Sequence, residues 1–167
     1  CVISDRLDVR QLQVAAFVER WLREEALRQL HPRVTEYAAR ITSTIPVIKL
    51  SNARSEWGNC NQKGVIRLNW RLVQLPPELA LYIVAHEVAH LVELNHSRRF
   101  WAVVETLFPG HAAARRALGE WTALLEALGA AGPDTTWAQV HAHMVKNLQA
   151  RGFRQTPQLH AIDTLRN

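Results

Sequence analysis

Cysteine is scarce in this chain: Cys1 and Cys60 are the only two. A fold stapled by disulfides is therefore excluded, and a reducing, cytoplasmic setting fits best. No apolar run approaches the roughly 18 residues that a membrane-spanning helix needs, so no membrane segment is expected. No secretory signal is visible. A Gly-rich phosphate loop is also missing, which removes a common signature of nucleotide enzymes. There is no internal repeat and no low-complexity tract. Lysine is rare, and arginine supplies 17 of the 20 Lys and Arg residues.

What is present describes a globular protein. Hydrophobic residues make up 48% and charged residues 21% of 167 positions, enough for one domain with a real core. The net charge is +5. Arg98-Arg99 and Arg115-Arg116 are pairs, but the remaining basic residues are spread along the chain. Without an aromatic-plus-basic cluster, the charge reads as a solvated surface.

The run His86-Glu87-Val88-Ala89-His90 carries the chemistry. Helix residues i and i+4 lie one above the other, so His86 and His90 can aim their imidazoles at one ion. Glu87 sits about 100° round the helix from His86, within reach of a water beside that ion. Apolar Leu79, Ile83, Val84, Val88, Leu91 and Leu94 follow helical spacing, and Pro76-Pro77 suits a helix start. Two histidines and a glutamate on such a helix would be costly without a partner. The pattern predicts a catalytic zinc site, with a metal-activated water and Glu87 as general base.

Two residues compete as third ligand, Glu93 and His96. Glu93 would continue the same helix face, but three ligands on one helix span about 10 Å in a line, whereas zinc wants a triangle. Asn95 tolerates the left-handed conformation that ends many helices. A turn there would swing His96 back, with Ser97 capping a helix from Arg98 to Leu107. The expected ligands are His86, His90 and His96.

Elsewhere, the first 45 residues read as helical, with Val9, Leu12, Phe17, Trp21, Leu22, Leu27 and Leu30 on the apolar face. His31-Pro32 is expected to interrupt that helix, and a second is expected from Arg33 to Ile41. Val47–Ser51 and Val65–Trp70 read as two strands of a hairpin, with turn chemistry over Asn59–Gly64. Helices are expected over 100–108, 112–128 and 137–150, with a linker over 129–133 and a loose tail from 152. Cys60 reads as a small buried hairpin residue. His31, His111 and His160 stand alone, and His141 and His143 are two apart and cannot share a helix face. Trp57 and Trp101 flank the motif and are candidates to shape a pocket.

Several stretches together resemble the YgjP-like metallopeptidase family, relatives of the WLM and SprT-like zinc peptidases. They are Ser55-Glu56-Trp57-Gly58-Asn59-Cys60, Lys63 to Leu72, Leu75-Pro76-Pro77, the His86–His90 motif, and Asn95-His96-Ser97-Arg98-Arg99-Phe100-Trp101. The resemblance runs from about residue 10 to 120. It implies a zincin-like α+β fold, zinc ligation by His86, His90 and His96, and Glu87 as base. Glu56 stands where the family usually has a basic residue, and Asn59 where it commonly has serine. A β-rich segment that usually precedes the first helix is not in this sequence, which suggests a fragment.

The resulting expectation is a mostly helical α+β, zincin-like domain over residues 1–130, with a small antiparallel sheet beside the motif helix. Residues 131–167 would add a helix and tail. The activity expected is zinc-dependent hydrolysis of peptide or protein substrates. Its rivals are a nucleotide phosphoanhydride hydrolase, a nucleic-acid-associated protease and a non-catalytic zinc module.

Overall fold

The computed structural model describes residues 2–53 and 56–130, with side chains over 16–53 and 56–123. Helix α1 (Val2–Ala39) leads into strand β1 (Val47–Ser51), β2 (Gly58–Cys60) and β3 (Val65–Asn69). A short 3-10 helix, Trp70–Gln74, follows, then α2 (Pro77–Ala89), α3 (Arg98–Leu107) and α4 (His111–Ala130). This is a mostly helical α+β fold with a small sheet, as expected. The chain forms two compact units. One contains residues 1–75 and 80–111, the other 76–79 and residues from 112 onward. In the second unit, Leu79, Ala114, Ala117 and Trp121 are buried. The expected helix and tail beyond 130 lie outside the described residues.

The first unit holds the sheet. Its strand order is β1-β3-β2, with β1 parallel and β2 antiparallel to β3. The sheet is thus mixed rather than wholly antiparallel, and the hairpin joins β2 to β3 rather than β1 to β3. Strands β1 and β2 flank β3, two strand spacings or about 10 Å apart. Asn69 at the end of β3, only 3% exposed, holds residues of both sides, Ala53 and Glu56. Its side-chain amide donates to the carbonyls of Ala53 (2.7 Å) and Glu56 (3.2 Å), and its backbone N–H donates to Trp57 O (2.8 Å). Its side-chain Oδ1 accepts from Arg71 N and caps the 3-10 helix. Trp70 Nε1 adds a bond to Asn52 Oδ1.

The β2–β3 turn follows its sequence. Asn61 Oδ1 accepts from the backbone N–H groups of Lys63 and Val65, each at 3.0 Å. Gly64 supplies the positive φ of 71° that the turn requires.

Helix α1 does not break at His31-Pro32. Pro32 lies inside it with an exposed ring. The buried stripe is Ala26, Leu30, Val34, Tyr37 and Ala38, spaced by three and four, whereas Phe17, Trp21 and Leu27 are exposed. The helix packs on the 3-10 segment and β1, where Arg23 lies over the Trp70 ring. Ile66, Leu68, Leu72, Val84, Val88 and Phe100 form the centre of this unit's core.

Candidate metal centre

Pro77 opens α2 and the helix ends at Ala89, earlier than its apolar spacing suggests. The last turn tightens: Leu91 N donates to Val88 O, and Val92 N to Ala89 O. His90 is the first residue beyond the helix yet stays close to His86, with ring centroids 5.0 Å apart. No non-glycine residue among those described has positive φ, so Asn95 does not make a left-handed turn. The tightened turn, and a second tight turn in which Ser97 N donates to Asn95 O at 2.7 Å, bring the chain back instead. Ser97 then caps α3 as expected, its hydroxyl accepting from Phe100 N at 3.3 Å.

The return brings the three histidines together. Ligand atoms of His86, His90 and His96 all lie within 4.8 Å of one another. The Nε2 atoms of His86 and His96 are 3.0 Å apart. Two nitrogens on a tetrahedral zinc sit about 3.4 Å apart at a Zn–N distance near 2.05 Å, so this donor set fits such an ion. His90 Nδ1 is 3.0 Å from the Glu93 carbonyl oxygen. With Nδ1–H donating to that carbonyl, Nε2 is left as the ligating atom. Glu93 therefore meets the site through its main chain, and its carboxylate is not part of the cluster. Burial lowers the pKa of His90, with the His96 charge acting in the same direction and the Glu93 bond opposing it. This favours the neutral, ligating form.

Phe100, fully buried, lies against all three imidazoles, with ring centroids 4.5 to 4.8 Å away. In the sequence Phe100 reads as a helix residue and as part of the Asn95–Trp101 stretch, with no sign of what it packs on. Its packing role depends on how α3 returns to α2, which spacing does not encode.

Glu87 is buried, at 6% exposure. Loss of solvation, and next the negative charge of Glu56, push its pKa up to about 8. Gly58 in β2 abuts it: a Cβ there would lie 2.7 Å from Glu87 Cγ and 3.0 Å from Oε1. No local signal in the sequence marks Gly58 as a neighbour of Glu87. Cys60 is half-buried and outside the histidine cluster, its Sγ facing the Asn61 carbonyl. Burial and then Glu87 push its thiol up to about 11, so it is a poor thiolate donor.

A convergent histidine triad next to a buried carboxyl is the arrangement of a metal-dependent hydrolase. Comparison with known proteins narrows the class. The chain belongs to the YgjP-like metallopeptidase domain family, whose pattern it matches over residues 4–120. Among solved structures it is similar to the metallopeptidase zymogen abylysin of Pyrococcus abyssi. Identity there is 24%, the TM-score 0.47, and the match covers 59% of this chain and 95% of that one. No curated protein matches the chain significantly. Family membership identifies a metal-dependent peptidase domain. No described helix is long and apolar enough to cross a membrane.

Proposed function

We propose that the chain is a zinc peptidase in which His86, His90 and His96 hold the ion and Glu87 is the general base. The observation that carries this reading is the convergence of three imidazoles on one point. When bound, zinc supplies Lewis acidity at that point. Glu87 accepts a proton from the attacking water on a carboxylate oxygen and returns it to the leaving amine. A carboxyl with a raised pKa suits both transfers.

Strand β2 is one of the two edges of the sheet. Trp57 pairs with Asn69 and Asn61 with Val65 through ladder bonds, so Gly58 and Cys60 turn their N–H and C=O groups away from β3. An extended peptide would add to this edge beside Glu87. The scarcity of cysteine supports a cytoplasmic setting.

The test is Glu87→Gln on the full chain. Plasma mass spectrometry should find about one zinc per chain in both proteins, while peptide turnover falls about 10²- to 10⁴-fold. Turnover at the parent level would sink the mechanism, and a zinc-free parent after reloading would sink the ligand set.

A further inference from the structure

Two of the three histidines have an evident hold on their orientation. His86 is on α2, and His90 is tied to the Glu93 carbonyl. His96 is on a segment with neither helix nor strand, and it is exposed. Something else must set its ring plane, because a metal is bound through a lone pair in the plane of the imidazole.

We propose that Trp101 is the positioning residue for His96, and that His111 backs it. This rests on the reading that His96 is a ligand. The Trp101 indole stacks on the His96 ring, with centroids 5.8 Å apart and planes 27° apart. The same indole stacks on His111 at 5.2 Å and 19°. His111 Nε2 is in turn 3.5 Å from Glu105 Oε2. The Trp101 backbone is fixed in the first turn of α3, its N–H donating to Ser97 O at 3.2 Å. Phe100 meets the His96 ring edge-on at 4.7 Å and 79°. His96 thus has one aromatic neighbour nearly parallel to its plane and another nearly perpendicular to it. Together they fix both tilt and rotation, as orienting hydrogen bonds do for other metal-binding histidines. Phe100 is also a core residue, so Trp101 is the one that can be changed with least harm to the fold.

The experiment compares the full chain with Trp101→Leu, Trp101→Phe and His111→Leu. Zinc affinity is read by chelator competition, and ligand geometry by the visible spectrum of the cobalt-loaded protein. Trp101→Leu should bind zinc about tenfold more weakly and shift the cobalt bands, with far-ultraviolet circular dichroism unchanged. Trp101→Phe, which keeps a stacking ring, should recover most of the affinity. His111→Leu should give a smaller loss in the same direction. In the metal-free parent, His96 ring protons should be displaced by the indole ring current, a readout that needs no metal and no variant to fold. Parent-like affinity and spectrum in Trp101→Leu, or undisplaced His96 protons, would overturn the proposal alone. A parent chain that takes up no metal would overturn the ligand reading and this inference with it.

Discussion

Gly58 is the residue whose replacement reports most directly on Glu87. A methyl group there collides with the Glu87 side chain, and on the proposed mechanism a displaced Glu87 costs rate even when the histidines are untouched. Gly58→Ala should lower kcat about 100-fold at parent zinc content, as steady-state kinetics beside metal analysis will show. Glu87 also makes the metal-free chain pH-sensitive. Its folded pKa of about 8 exceeds the ordinary 4.5. The stability it contributes is complete below 4.5 and lost as pH rises through 8. His90, whose pKa is lowered, acts oppositely, losing stability as pH falls. The difference between parent and Glu87→Gln isolates the glutamate. Thermal midpoints of the metal-free parent should fall relative to the variant between pH 5 and 8, and parallel profiles would refute the shift. At this scale the histidines were legible because helical spacing and a cap signal are local. The Gly58–Glu87 approach was not, because 29 residues separate the two and no local rule joins them.

Among the elements, those bounded by strong local chemistry matched expectation. Pro77 starts α2, Ser97 caps α3, Gly110 with φ 78° precedes α4, and Asn61 with Gly64 turns the hairpin. Those decided by distant contacts did not. Strand β2 is three residues of Gly-Asn-Cys with no β-branched side chain, and only pairing with β3 makes it a strand. Helix α1 carries Pro32 without breaking because flanking Leu30 and Val34 are buried in one stripe, and their packing outweighs the lost hydrogen bond. The edge role of β2 is open to a direct trial. Cys60→Pro removes an N–H that faces away from β3, so the ladder and the metal site should survive. Peptide KM should rise about 5- to 10-fold, the worth of one main-chain hydrogen bond. Unchanged KM would remove β2 from substrate binding.

Across the whole molecule, the residues proposed for metal and catalysis fall within the first compact unit. A chain ending at Ala130 should still take up about one zinc in a chelator-competition titration. An empty truncated chain that retains its helical circular dichroism would contradict this. The net charge of +5 is a property of the whole surface and does not point to any partner.

The three histidines span only residues 86 to 96, whereas Gly58 reaches Glu87 from a strand far back in the chain. Closing so short a loop costs less entropy than bringing Gly58 to Glu87 over a much longer stretch of chain. On the proposed ligand set, an ion would thus find its histidines together before Gly58 meets Glu87. In the cell, metal supply and folding would then act on this protein in that order, with loading as an early step of maturation.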